Sequence, residues 1–368
     1  MTICVDNLWE RQAGLEMPIH VPARIEDVTD IAPRVAYLLG TDELDVRARH
    51  ILGAIQKELP AVLDRAFGGG DTTACLDLHK TLYLMYELSF GNPLAPAVQH
   101  EHAPWLLQLR ASIERTWMDW DLSCIADLVP SDAALASPEA VRDWLVDVSR
   151  QESPDDRIAT RYLAERADLE DFKKFLLADS YLNYRFYDAI ALSQLHYCES
   201  VKAELSRHMY DECGCGNSDN AHTRLFSRAL MSLGLDCPVI PQWEDWRPYA
   251  GFNLYFLFGL NRRHYFKALG SLAMPELFDP DRDRAVVAGC RRLGLDADRD
   301  FVYYTAHIET DEEHGVRWLD YVIMPVVRAQ PGAAREIVIG AALRMEYMRR
   351  YNQYLLDVFG LSTRGAAA

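Results

Sequence analysis

The segment that most constrains this chain runs from Phe301 to Trp318, FVYYTAHIETDEEHGVRW, and places two histidines and an aspartate on one stripe of a helix. At roughly 100° per residue, Asp311 lies about 40° from His307 around the helix axis, and His314 lies about 20° to the other side. The three glutamates of the segment fall on other faces of this helix. We interpret the stripe as metal-facing; the alternative is a solvated acidic face that carries two histidines incidentally.

Apolar residues recur at intervals of three and four through most of the chain, which is typical of amphipathic helices. No hairpin signal of the Asn-Gly type separates alternating runs. The pattern predicts an all-α fold, with a loose lead-in over residues 1–40, where prolines break any long helix. The predicted helices are Asp42–Leu59, Thr72–Phe90, Trp105–Leu128, Glu139–Arg150, Leu169–His196 with a continuation to Met209, Ala221–Leu233, Tyr249–Ala273, Arg282–Arg292, Asp298–Arg328 and Ala333–Leu361.

The segment Gln151–Asp156 separates two helical regions and is polar, with one proline. Such a composition is typical of a linker. We therefore predict two parts, a helical N-terminal region over 1–155 and a second helical domain over 156–368.

Composition limits the classes of partner. The 368 residues are 49% hydrophobic and 25% charged, as in an ordinary globular protein. A net charge of -17 repels phosphate backbones and anionic lipid surfaces, so we expect neither nucleic acid nor membrane as a partner. A small molecule is therefore the expected partner. The first residues lack a basic region followed by an apolar region, which predicts a cytoplasmic protein.

Three further residues add donors to the helical stripe. Glu212 precedes a Gly-rich turn, His222 follows it, and Glu276 is embedded in an apolar segment. With His307, Asp311 and His314 the set offers three imidazoles and three carboxylates, which suit two ferrous ions with open positions for O2. A ferritin-like site is not indicated, because it needs two Glu-x-x-His helices. A haem site is disfavoured by the surplus of acids beside the histidines.

The motifs resemble those of a known family. His307-x-x-x-Asp311-x-x-His314, preceded by Asp211-Glu212-x-Gly-x-Gly and by His222-x-x-Leu-Phe, is similar to the pattern of the haem-oxygenase-like diiron oxidases, also described as iron-containing redox enzymes. The resemblance covers about Ala167–Tyr347. It implies a haem-oxygenase-like helical bundle without haem, with a helical N-terminal extension. It also implies two Fe(II) ions, O2 as cosubstrate and an external reductant, whose donor the sequence does not identify.

One departure from the family pattern bears on the reaction. The N-oxygenating members carry a further Glu at the position of Phe186, and Asp188 would replace it only if the helix register shifted. The resemblance therefore favours C–H abstraction from a small free aliphatic amino acid, such as isoleucine or valine, in a natural-product pathway. Desaturation would result, with C–N bond formation as in the azetidine-forming oxidases of antibiotic biosynthesis. N-oxygenation of an amine or amino acid is the first alternative, and oxidative C–C cleavage of an amino or fatty acid is the second.

Six residues are candidates for holding the substrate. The apolar walls would be formed by Phe186, Tyr187, Tyr303 and Tyr304, although aromatic residues at helical spacing are more often part of a core. Arg185 or Arg317 would bind a carboxylate through two parallel hydrogen bonds, although surface ion pairs are the commoner role of arginine. A homodimer is compatible with this interpretation. A binding protein that had lost ligands, or a haem enzyme on the same fold, are the alternatives from other functional classes.

Overall fold

The computed structural model describes residues 24–41, 44–195, 198–236 and 243–362, apart from the side chains of Glu309 and Asp311. Helices connected by short turns make up these ranges, and no strand occurs within them. The predicted all-α fold is therefore confirmed for this part of the chain. Within the same ranges, no helix combines the length and the apolar character that crossing a bilayer requires.

The chain divides into two compact units. The first comprises Met1–Cys124 and Val239–Asn253, and the second comprises Ile125–Pro238 and Leu254–Ala368. The boundary predicted at residue 155 falls inside the second unit. The polar segment 151–156 is a tight turn there, because Ser153 and Asp156 form a capping box at the start of the next helix.

The first unit contains four helices, and an aspartate of the third caps the start of the first. Its helices are α1 Ile31–Leu39, α2 Val46–Leu63, α3 Thr72–Glu87 and α4 Pro104–Cys124. Helix α1 lies where the sequence predicted a loose lead-in. Asp77 on α3 accepts hydrogen bonds from the backbone N–H groups of Ile31 (2.7 Å) and Ala32 (2.8 Å), and so satisfies donors that every helix start leaves unpaired.

The second unit holds the residues of the helical stripe. Its helices are α5 Pro138–Ser149, α6 Pro154–Glu165, α7 Leu169–Asn183, α8 Phe186–Ser193, α9 Glu199–Glu212, α10 His222–Ser232, α11 Trp246–Leu260 (which begins in the first unit), α12 Tyr265–Arg292, α13 Ala297–Asp300, α14 Val302–Arg317, α15 Met324–Ala329 and α16 Ala333–Val358. A π-helical turn, Trp318–Ile323, follows α14. Helix α12 packs against α14, α16 and α6 and is the centre of the unit.

Several predicted helix bounds were wrong. The segment expected to form one helix from Leu169 breaks after Asn183, and its predicted end at His196 lies outside the described residues. The helix expected over Tyr249–Ala273 breaks after Leu260. Its second part continues through Pro275 and Pro280 into the helix expected over Arg282–Arg292, and the two form one helix, α12. Each proline removes one backbone donor, but packing on three sides holds the helix together. Glu276 therefore lies in the middle of a buried helix.

Three glycines permit close helix contacts in this unit. A Cβ atom at Gly270 would lie 1.9 Å from the Ile337 oxygen, and one at Gly340 would lie 2.0 Å from the Lys267 oxygen, so α12 and α16 touch backbone to backbone. A Cβ atom at Gly315 would lie 2.8 Å from the Glu276 oxygen. This last contact brings α14 against α12 beside His314.

Candidate metal centre

Five of the six predicted metal ligands converge in the second unit. Glu212 ends α9, His222 begins α10, Glu276 lies in α12, and His307 and His314 lie two turns apart on α14. All five side chains are buried. The sequence thus predicted a set of residues from four helices that the fold does bring together.

The donors form two clusters that share one carboxylate. Glu212 lies with His222 and His307 in one cluster, and with His208 and His314 in the other; within each cluster the donor atoms lie within 4.8 Å of one another. Glu276 extends the second cluster, with its Oε2 3.4 Å from His314 Nδ1. A carboxylate shared by two groups of imidazoles is suited to bridging two cations.

Four of the donor atoms are buried without a hydrogen bond, although one of them, His222 Nδ1, lies 2.7 Å from Glu212 Oε2. His208 Nε2, His222 Nδ1, His314 Nδ1 and Glu276 Oε2 are buried and make no hydrogen bond within the protein. Buried polar atoms are normally hydrogen-bonded, and each one left unpaired costs about 1–3 kcal/mol. Four such atoms at one place fit ligation of a metal better than a stable metal-free core.

Hydrogen bonds to the far side of two imidazoles fix which nitrogen is available. His307 Nδ1 lies 2.6 Å from the backbone oxygen of Tyr303, which can only accept, so Nδ1 carries the proton and Nε2 presents a lone pair. His314 Nε2 lies 3.1 Å from Asp211 Oδ2, which leaves Nδ1 free to bind. A carbonyl or carboxylate behind the ring is the arrangement by which proteins orient metal-binding histidines.

The electrostatics keep the carboxylates ionised. Burial raises the pKa of Glu212, but the imidazoles of His222 and His208 outweigh it and hold the pKa well below its usual value. Burial likewise opposes ionisation of Glu276, yet His208 and His314 lower its pKa. Burial lowers the pKa of His307 to about 4, with His222 adding to the effect, so its imidazole is neutral near pH 7. Ionised carboxylates and a neutral imidazole are the forms that bind metals.

The sixth predicted ligand, Asp311, has a side chain that lies outside the described residues, so its role stays a prediction. Its helical neighbours behave as predicted for outward-facing acids. Glu312 forms an ion pair with Arg284, and Glu313 lies 2.6 Å from Arg207; both glutamates are more than half exposed.

The predicted aromatic walls lie in different surroundings. Tyr304 is buried in the core against Phe175, at a ring-centroid distance of 6.5 Å. Phe186 packs edge-on against Tyr255 (5.7 Å) and offers no donor atom. Tyr187 is partly buried, and burial raises its pKa. Of the predicted wall residues, Tyr303 does contact the metal centre, with its ring 4.1 Å from the His307 ring.

The predicted arginine clamps have acidic partners. Arg317 forms a two-pronged ion pair with Glu204, with Nε 2.6 Å from Oε1, and its guanidinium stacks over Tyr321. Arg185 lies 3.5 Å from Asp188. Asp188 belongs to neither donor cluster of the described residues. The commoner role of arginine, the ion pair, is therefore what the structure shows for both residues.

An open cavity of about 570 Å³ borders the metal centre, with His222 and His314 in its wall. Its remaining lining joins apolar residues to charges of both signs: Leu225, Val302 and Ala306 are apolar, and Arg207, Asp211 and Glu313 are charged. This volume is within the range of small-ligand sites.

Sequence reasoning missed His208, which the structure buries in the cluster. The spacing Glu204-x-x-x-His208 is one residue too long for the Glu-x-x-His pair of a ferritin-like site, so that pattern does not select His208. The signal that could have found it is the spacing from His208 to Glu212, because residues four positions apart lie on the same face of α9. Without knowledge that Glu276 of α12 lies beside them, this spacing could not be distinguished from that of an ordinary helical ion pair.

Comparison with known proteins identifies the region that carries this centre. Residues 173–349 match the sequence profile of the iron-containing redox enzyme family. This region is similar in sequence to that family. The match includes all six predicted ligands and His208, and it agrees with the range Ala167–Tyr347 inferred from the motifs. The family is one of oxidoreductases that contain iron, which agrees with the donors found here.

Comparisons with individual proteins found two that are similar to this chain. Over 149 residues the chain is 32% identical to nitrosourea synthase from Streptomyces achromogenes subsp. streptozoticus. That alignment covers 40% of this chain and 31% of the relative, so the chain spans about a third of that protein's length. A CADD-like protein of unknown function from Nostoc punctiforme has a solved structure that matches 60% of this chain and 97% of its own, with 15% identity and a TM-score of 0.49.

Proposed function

We propose that the chain is a non-haem diiron oxidase that uses O2 and an external reductant. The observation that carries this proposal is the pair of imidazole clusters joined by Glu212, with four buried donor atoms that make no hydrogen bond. The iron-containing family of residues 173–349 supports the choice of metal.

The charges of the donors suit two ferrous ions. Glu212 and Glu276 supply two negative charges, and Asp311, one turn beyond His307, is proposed to supply a third. The charge of two divalent cations is then largely neutralised in a buried place where an unpaired charge would be costly. When bound, the irons would supply the electrons and open positions that O2 reduction requires.

The surrounding residues have definite tasks in this proposal. Tyr303 and Asp211 hold the rings of His307 and His314 in the orientation and tautomer that binds metal. One turn beyond Glu276, the Oδ1 of Asp279 is buried without a hydrogen bond. Burial raises the pKa of Asp279 to about 7, against the lowering effect of Arg282, so this carboxyl can hold a proton beside the centre near neutral pH.

A free aliphatic amino acid is the proposed substrate. The cavity wall offers both signs of charge for the ammonium and carboxylate groups, and Leu225, Val302 and Ala306 can contact an aliphatic side chain. We favour isoleucine or valine. Removal of two hydrogen atoms from the substrate, together with two electrons and two protons from the reductant, balances the reduction of O2 to two waters. The product is an alkene or a ring closed by a new C–N bond.

N-oxygenation is the second candidate, and one observation favours it. The chain is 32% identical to a nitrosourea synthase over 149 residues, and a nitrosourea contains an oxidised nitrogen. Against it stands Phe186, whose apolar ring occupies the place where N-oxygenating relatives carry a carboxylate. We therefore rank abstraction of hydrogen from carbon first.

The test is anaerobic reconstitution with Fe(II), followed by metal analysis and mixing with O2, reductant and single amino acids. We expect about two irons per chain and a product two mass units lighter than the substrate. The Glu312→Gln variant is a control, because Glu312 pairs with Arg284 and lies outside both the cavity wall and the donor clusters. A plateau at one iron would contradict the diiron site, and products that gain oxygen on nitrogen would establish the second candidate.

A further inference from the structure

We infer that His208 is a metal ligand, binding through Nε2 the ion that His314 and Glu276 also hold, so that each ion has two imidazoles. This inference rests on the proposed function, because it assumes two metal ions in the centre. It adds a residue that the sequence motifs do not contain.

The position of His208 within the cluster is the first argument. Its side chain is buried, and its Nε2 lies 3.3 Å from Glu276 Oε1 and 3.5 Å from Glu212 Oε1. The ring stacks on His314, with centroids 3.9 Å apart. His208 therefore faces the same small space as three other donors.

The distances at His208 are longer than those of a hydrogen-bonded ion pair. A charge-assisted N–H···O hydrogen bond is typically about 2.7–2.9 Å long, and the 2.7 Å between His222 Nδ1 and Glu212 Oε2 is of that length. Two ligands that each lie about 2.1 Å from one ion are about 3.0 Å apart at an octahedral angle and about 3.4 Å apart at a tetrahedral angle. The separations of His208 Nε2 from both glutamates are close to the second value, and Nε2 makes no hydrogen bond with either of them. The gap between His314 Nδ1 and Glu276 Oε2 is 3.4 Å, which is the same kind of spacing.

The two clusters then become alike. His222 and His307 serve one ion, His208 and His314 serve the other, and Glu212 lies between them. The stacked pair His208–His314 has its counterpart in the pair His222–His307, whose ring centroids are 4.2 Å apart. Phe186, packed on Tyr255, contributes no donor, so the imidazole of His208 completes the second site.

The experiment counts coordinated imidazoles directly. The full-length protein is loaded with two equivalents of Co(II), and proton NMR is used to count the solvent-exchangeable N–H resonances that the paramagnetic ions shift strongly. The wild type should show four, one for each bound histidine. In His208→Gln one of these should vanish, and the affinity for one of the two ions should fall at least about tenfold, because even residues that only support a ligand change affinity by 10–100-fold. His264→Phe, at a buried histidine outside the cluster, should keep all four resonances and both affinities.

The outcomes separate the two proposals. Two bound ions with three shifted N–H resonances in the wild type would overturn this inference while leaving the diiron proposal intact. That result would mean that His208 is an imidazolium paired with the glutamates. Binding of a single ion by the wild type would overturn the proposed function itself. The wild-type count needs no variant, so the test holds even if His208→Gln folds poorly.

Discussion

Gly315 offers the most direct test of how packing positions the metal centre. A methyl group at this position would lie 2.8 Å from the Glu276 backbone oxygen and 3.0 Å from Leu277 Cδ2. The leucine side chain can move, but the backbone of α12 cannot move without its helix. Ordinary contact begins near 3.4 Å, so Gly315→Ala should separate α14 from α12 by about 0.6 Å at this point.

The cost follows from two opposing effects. Overpacking in a well-packed core destabilises by about 1–3 kcal/mol. Alanine recovers up to about 1 kcal/mol through its better helix propensity. The net loss should be about 1–2 kcal/mol, which for a unit of this size lowers the Tm by roughly 2–8 °C. Because His314 and Glu276 flank the contact, metal affinity should also fall.

The assay is thermal and urea unfolding of the metal-free protein, followed by titration with Fe(II) without oxygen. Gly332→Ala is the matched control, because Gly332 has helical backbone angles and a Cβ atom there meets nothing within 4 Å. We expect the control to change stability by less than about 0.5 kcal/mol. If Gly315→Ala is as stable as the control and binds iron as tightly as the wild type, the close approach of α12 and α14 is not what holds the centre.

Three further predictions address other parts of the molecule. Burial lowers the pKa of His264 to about 4, so this histidine's contribution to stability is complete above about pH 6.5 and is lost as the pH falls toward 4. Between pH 7 and 5 the free energy of unfolding in urea should therefore fall by about 2 kcal/mol more in the wild type than in His264→Phe. Asp77→Ala leaves two backbone donors at the start of α1 without an acceptor and should cost about 1–3 kcal/mol, whereas Asp77→Asn, which keeps one oxygen, should cost less in the same assay. Asp311→Ala should abolish turnover and reduce iron binding, while Glu312→Ala removes only an exposed ion pair and should leave both within a few fold; equal losses would show that the assumed helical phase is wrong.

The sequence predicted the fold class well, because helical character depends on local periodicity. Apolar spacing of three and four residues indicated helices throughout, and the same geometry put His307 and His314 on one face of α14. The predictions failed where tertiary contacts outweighed local preference. Pro275 and Pro280 indicated a break, yet the packing of three neighbours keeps α12 continuous and places Glu276 at its buried middle.

The place of His208 in the cluster could be recognised only from the folded structure. By itself the chain determined which side chains share a helix face, since 3.6 residues per turn fixes that relation locally. Whether His208 forms an ordinary ion pair or faces a metal depends on Glu276 and His314, which lie 68 and 106 positions away in sequence and reach it through the packing of α9, α12 and α14. Arg317, which seemed suited to a substrate carboxylate, likewise pairs with an acid far away in the sequence, Glu204, because opposite charges attract whatever their separation along the chain.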